Sequence, residues 1–213
     1  MKKFFLIITL MATLCFSQEP TETEETGFHK HDGFFLSLNG GGAFGSIALN
    51  MTHSFAQKMT FSGNGIETDF RIGGAPVENV ILSADIITRS ISGPELDIDG
   101  FKVQSNSSLA ASDQTIGVGL TYYIMPANVF LSGTIGMGAF GLTFNNVTSS
   151  SQAGASFRIK AGKEWWVSKN WGLGVALAYN HVSADDKTDG APSGYKGTLS
   201  TDKVSILFNS TFN

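Results

Sequence analysis

The 213-residue chain is 42% hydrophobic and only 15% charged, with 25 glycines, five prolines and a formal charge of −4. Soluble domains average about 25% charged residues and about 7% glycine, so the chain is charge-poor and glycine-rich, with too few prolines for a collagenous or disordered polymer. The acidic balance excludes a basic nucleic-acid binder.

Residues 1–17 (MKKFFLIITLMATLCFS) carry Lys2 and Lys3, an apolar run from Phe4 to Phe16, and small residues at Cys15 and Ser17. This is the pattern of a cleaved secretory signal, too short and wrongly flanked for a permanent membrane helix. Cleavage is expected near Ser17. Leu14 is too large for the position before a lipidated cysteine, so Cys15, the one cysteine, is expected to leave with the signal. Neither disulfides nor thiolate metal sites would then remain. Residues 18–32 hold four glutamates between Glu19 and Glu25 and no apolar period. They read as a disordered acidic periplasmic tail, with His29 and His31 solvated rather than paired on a metal.

From residue 33 onward no window shows helical periodicity over three turns. Period-two alternation appears instead in eight segments, about 33–45, 65–74, 80–89, 114–124, 128–140, 152–165, 171–181 and 201–212. Between them, 46–64, 90–113, 141–151 and 182–200 are long and rich in Ser, Asn, Asp and Gly, whereas 75–79, 125–127 and 166–170 are short. Four long loops at one end and three short turns at the other predict an all-β fold, an eight-stranded antiparallel up-and-down transmembrane barrel over 33–213. The long loops would lie outside and the short turns in the periplasm.

Parity decides which face meets lipid. One face of 65–74 is Ile66, Thr68, Phe70 and Ile72, and the other is Glu67, Asp69, Arg71 and Gly73. Segment 114–124 sets Ile116, Val118, Leu120, Tyr122 and Ile124 against Thr115, Gly117, Gly119, Thr121 and Tyr123. The apolar faces read as free of charge in all eight segments. Glu67, Asp69, Arg71, Asp85, Arg89, Arg158, Lys160, Glu164 and Lys203 share the opposite parity. Eight strands enclose only enough room for side chains, so these polar residues are expected to plug the interior as a network of ion pairs. The uncharged faces would turn to lipid, where a midplane charge costs roughly 2–4 kcal/mol. Tyr122, Trp165, Trp166, Trp171 and Phe212, with Phe34, Tyr123 and Phe130, fall at the short-turn ends of their segments and read as an interface girdle.

This pattern over 33–213 resembles the small bacterial outer-membrane β-barrels of the OmpX and OmpA membrane-domain type. The string Gly162-Lys-Glu-Trp-Trp-Val-Ser-Lys-Asn-Trp-Gly-Leu-Gly174 looks like a penultimate hairpin of that broad group, and the last strand ends on Phe212, followed here by Asn213. The resemblance implies Gram-negative outer-membrane location after export. It also implies insertion by the barrel assembly machinery, contact with outer-membrane lipid and lipopolysaccharide, and a monomeric state with no cofactor, metal or nucleic acid. A structural or loop-mediated interaction role follows, rather than an enzymatic one.

Three motifs suggest other chemistry. Gly40-x-Gly42-x-x-Gly45 matches the dinucleotide fingerprint in letters only, since that motif must open a helix. Glu95-x-Asp97-x-Asp99-Gly100 starts like a calcium loop but has Asn106 at its twelfth position. His181-Val182-Ser183, with Asp202 on the outward parity of the last segment, resembles the His-x-Ser pair of PagL-type lipid A deacylases. In those enzymes the histidine would activate the serine against an acyl ester. Here Ala184 follows the serine in place of Asn, and Asp202 stands in place of a glutamate. A narrow channel lined by the inward charges is the third possibility.

Overall fold

The computed structural model describes residues 30–52, 57–186 and 194–213, and contains no helix among them. Its strands are β1 (Gly33–Thr52), β2 (Lys58–Val77), β3 (Val80–Ser92), β4 (Glu95–Ile98), β5 (Phe101–Gln104), β6 (Leu109–Ile124), β7 (Val129–Phe144), β8 (Val147–Ser150), β9 (Gly154–Ser168), β10 (Trp171–Asp185) and β11 (Lys196–Phe212). Eight of them form a closed antiparallel ring. β1 pairs with both β2 and β11, and its seam with β11 runs from Leu36 opposite Phe212 to Thr52 opposite Lys196. The remaining three are short. β4 and β5 make a hairpin on the outer part of β2, and β8 folds back on β7.

The short turns fall near residues 78–79, 125–128 and 169–170, with Asn79 and Asn128 in the left-handed region that asparagine tolerates. The long stretches differ from expectation. They are mostly hairpin, since β1 and β2 stay paired out to Asn50 opposite Lys58. The reason is a change of parity. Along β1 the apolar outward residues end at Phe44, after which Ile47 and Leu49 point inward while Ser46, Ala48 and Asn50 point out. Along β2, Ile66 points out but Phe61 and Met59 point in. Along β10, Leu177 and Tyr179 point out but Val182 and Ala184 point in. Pairing satisfies the backbone on both sides of this change, so the strands continue while their apolar face swaps sides.

The interior is therefore layered. Phe35, Ile81, Tyr123, Phe130, Ala176, Ala178 and Leu207 cluster at the short-turn end. A second cluster, Ile47, Phe61, Ala111, Phe140, Val182 and Ala184, fills the outer extension and carries a shell of Met59, Leu96, Leu109, Leu142 and Leu199. Buried charges lie between the two.

The bore is tight enough to require glycine. A Cβ on Gly41 would sit 1.9 Å from the Ile206 carbonyl oxygen. One on Gly45, where φ is +146°, would sit 2.4 Å from that of Asp202. Of the fingerprint glycines Gly45 thus serves seam closure, and the motif lies within strand β1 instead of opening a helix.

Candidate functional site

Inward parity buries all nine charged residues named from sequence, eight of them in the middle layer and Glu164 nearer the short turns. Arg71 Nε donates to Asp85 at 3.0 Å, while its Nη2 reaches Ser83, Thr121 and Ser132 at 3.3, 3.0 and 2.9 Å. Asp85 also accepts from Ser83 at 2.6 Å and from Thr134 at 2.5 Å. Higher in the bore, Arg158 lies 2.7 Å from Glu67, Lys160 lies 2.8 Å from Asp69, and Lys203 lies 3.1 Å from Glu67.

Asp113 completes the network, 2.5 Å from both Arg89 and Lys203. It lies one residue before the alternating segment 114–124, yet it shares the inward parity of Thr115 and Thr121. Glu164 stands apart from the ion pairs. It accepts from Thr211 at 2.8 Å and from the Tyr123 hydroxyl at 3.3 Å. Four carboxylates and five cations thus share the ion pairs, and Glu164 nearer the short turns brings the inward-facing formal charges of the described residues to balance.

The short-turn end is closed by a residue assigned to the solvated tail. His31 is fully buried, its Nε2 2.8 Å from Asn128 Oδ1, stacked at 3.4 Å on Tyr123 and 5.0 Å from Trp166. Its carbonyl accepts from Asn79 N–H at 2.9 Å, and Lys30 pairs with Glu78 at 3.3 Å. Residues 30–32 are therefore docked rather than disordered: aromatic stacking and a buried amide partner outweigh the polar sequence around the imidazole. His29 and residues 18–28 lie outside the described residues, as do the signal segment and Cys15.

The aromatic group divides likewise. Tyr122 and Trp171 are exposed, and Trp165 and Phe212 are half-exposed on the outward face. Trp171 meets Phe212 edge-on at 6.1 Å. Trp166 turns the other way, towards His31, because it follows Trp165 on a strand where successive side chains alternate. Tyr123 and Phe130 are core residues, not girdle.

Within the eight alternating segments the outward faces are not free of charge, for they hold Lys163 and Asp202. Lys163 shares the parity of Ile159, Ala161 and Trp165, but its ammonium runs to the short-turn end and donates to the Ala127 carbonyl at 3.0 Å. Such a stem along apolar surface keeps the charge at the rim. Asp202 is the second, placed where the outward face turns polar.

That outer rim is where the predicted His–Ser–acid set falls. His181 lies directly opposite Asp202 in the β10–β11 register, with Nδ1 2.9 Å from Oδ1. The Tyr179 hydroxyl donates to the same oxygen at 2.5 Å, and Phe157 stacks on the imidazole at 5.4 Å. Ser183 sits one outward position further, opposite Ser200 and Ala155. No hydrogen bond joins it to His181 among the described residues. The geometry places a carboxylate-oriented imidazole on the outward face near the rim, with the Ser183 hydroxyl one outward position away and not bonded to it.

Carboxylates of the calcium-like stretch diverge. Glu95 pairs with Lys102 at 2.8 Å, Asp97 caps Gly100 N–H at 2.8 Å, and Asp99 accepts from Lys58 and Gln57 N–H at 2.8 and 3.1 Å. Asp99 and Gly100 both have positive φ, forming the β4–β5 turn. They line an open polar pocket with Gln57, Lys58 and Thr60. No group of three metal-binding side chains occurs among the described residues.

Solved structures share this architecture. The outer membrane protein OprG from Pseudomonas aeruginosa matches at 13% identity and TM-score 0.53, covering 86% of this chain and 98% of that one. The outer membrane protein AlkL, in DMPC lipid bilayers, matches at 12% identity and TM-score 0.51, covering 92% and 97%. The chain has the fold of the small outer-membrane β-barrels. No protein-family model matches the sequence, and no curated protein does. At such identities the likeness concerns fold, and chemistry must be argued from the residues themselves.

Proposed function

We propose that the chain is an integral outer-membrane protein of a Gram-negative envelope, a closed monomeric barrel that presents four elongated hairpins to the outside. The observation that carries this is the swap of apolar parity. Below the swap the outward face is apolar, with Ile66, Ile135 and Phe208 more than 70% exposed, and the charges are inside. Above it the extension is apolar inside and polar outside, as water requires. Nine residues of β11, from Val204 to Phe212, climb about 20–25 Å at the tilt of such strands, the height of an outer-membrane hydrocarbon band.

Export through the 1–17 signal, insertion by the barrel assembly machinery, and lipid with lipopolysaccharide around the wall belong to this reading. The dense ion-pair layer between two apolar clusters favours a plugged interior over a channel. Separation of inner and outer membranes on a density gradient tests the location; recovery as a soluble periplasmic protein would overturn it. Planar-bilayer recording tests the plug, with no stable conductance expected.

A second reading is favoured by the 2.9 Å His181–Asp202 contact. The rim could host a lipid A esterase with Ser183 as nucleophile, His181 as base and Asp202 as its orienting acid. Mass spectrometry of lipid A would show acyl loss with the wild type and none with Ser183→Ala or His181→Ala. Unchanged lipid A with the wild type sinks this reading.

A further inference from the structure

Four apolar residues beyond the lipid band are exposed where lipid does not account for them. Phe101 is 80% and Val147 71% exposed, with Val103 and Phe144 also exposed. Register fixes their direction. Phe101 lies opposite Ile98, which lies opposite Met59 on the inward face of β2. Val147 lies opposite Phe144, the next inward position after Phe140 and Leu142 on β7. All four therefore belong to the inner faces of the outer hairpins, above the half-buried shell of the outer apolar cluster. On two separate hairpins they give the barrel mouth, here called the cup, an apolar inner edge above that cluster. Single exposed hydrophobes need no explanation, but here each of two hairpins carries an exposed apolar pair on its inner face, Phe101 with Val103 and Phe144 with Val147.

Two further features describe the occupant. β5 pairs only with β4, and β8 only with β7, so each offers a free strand edge at the cup. A free edge accepts an extended chain through its unpaired backbone groups. The extensions are also acidic. Among the described residues six carboxylates stand against three lysines there, with Asp97 and Asp99 at the β4–β5 tip and Asp185 and Asp186 at the end of β10.

We propose that the mouth binds an extended, cationic segment of a partner protein, which adds as a strand to the free edge of β5 and turns alternate apolar side chains into the cup. The outward direction of the cup rests on the membrane reading above; the binding site itself does not.

The test uses the full barrel in lipid nanodiscs and a dye-labelled peptide of alternating Lys and Val. Its counterparts are a Glu/Val peptide and a Lys/Val peptide with a central proline. Anisotropy should show saturable binding of the Lys/Val peptide alone, weakened at least about tenfold by Phe101→Ser with Val103→Ser and weakened by high salt on the unmodified barrel. Both substituted side chains are exposed, and a native heat-dependent gel shift checks that the variant remains folded. Equal binding of the acidic peptide, equal binding of the proline peptide, indifference to the double substitution, or equal binding to empty nanodiscs would each overturn the proposal. A barrel that fails to enter nanodiscs fails the membrane reading; one that enters and ignores the peptide fails only this inference.

Discussion

Asp113 offers the sharpest test of what holds the barrel together. Its carboxylate meets Arg89 Nε and Lys203 Nζ, both 2.5 Å away and all fully buried. Asp113→Asn keeps the shape and removes the charge. Lys203 retains Glu67 at 3.1 Å, but Arg89 keeps only the Thr201 hydroxyl at 2.9 Å and the Gly45 carbonyl at 3.2 Å. Breaking one partner of a buried pair typically costs about 3–5 kcal/mol, a shift of roughly a hundred- to a few-thousandfold in the unfolding equilibrium. Urea titration in lipid vesicles, read by tryptophan fluorescence and by the gel shift of the folded barrel, measures it. The double variant Arg89→Met with Asp113→Leu removes both charges and should recover most of that loss, because replacing a whole buried pair with apolar groups is often neutral or stabilising. The reasoning is refuted if Asp113→Asn unfolds within about 0.5 kcal/mol of the wild type, or if the double variant is as weak as the single one.

Other consequences can be measured in the same preparations. Ile135→Arg, in the exposed apolar band, should cost roughly 2–4 kcal/mol in bilayer folding, while Asn50→Arg, on the outward parity of the extension, should cost under about 1 kcal/mol; equal costs would erase the proposed boundary. Gly41→Ala should block closure of the β1–β11 seam, since its methyl would overlap the Ile206 carbonyl, and an unchanged yield of heat-shifted barrel would contradict that packing. His31→Ala should free residues 30–32 and change the emission of Trp166, whose ring lies 5.0 Å from the imidazole; an identical spectrum and identical protease resistance would show that the docking contributes nothing. Phe140→Ala should lower stability by about 3–5 kcal/mol, because Phe140 is buried in the outer cluster, and a loss below 1 kcal/mol would mean that the extension needs no core.

Much of the wall was legible because a strand inside lipid has a simple signature: apolar on every second residue, with charges opposite. Ile66 to Ile72 and Ile116 to Ile124 show it plainly. What escaped was everything that depends on a change of solvent or on distant contacts. The outer halves of β1 and β2 looked like loops because Ile47 and Phe61 carry the apolar parity to the other side, which reads as a broken pattern. Asp113 sits just below that change and was lost with it. His31 has no periodic neighbours, so only the three-dimensional placement of Tyr123, Trp166 and Asn128 reveals its burial. At the rim, parity placed His181 and Asp202 on one side of the wall, but only the β10–β11 register shows that they are direct partners. The separation of Trp165 from Trp166 follows from alternation alone.

In a bilayer, the swap of parity along most of the wall would also act as a depth gauge. Sinking the barrel by one residue pair would draw Ser46, Thr88 and Gln114 into hydrocarbon; raising it would lift Phe44 and Tyr179 into water. Because the boundary runs around most of the circumference, tilting would raise one side only by drowning the other. Immersion and tilt are thus pinned by the same pattern, and Lys163, tethered at the opposite end, limits movement from below. A bilayer thicker or thinner than this ring must itself deform to meet it, at a fraction of a kcal/mol per ångström. The protein would accordingly report, and locally impose, the thickness of the membrane that surrounds it.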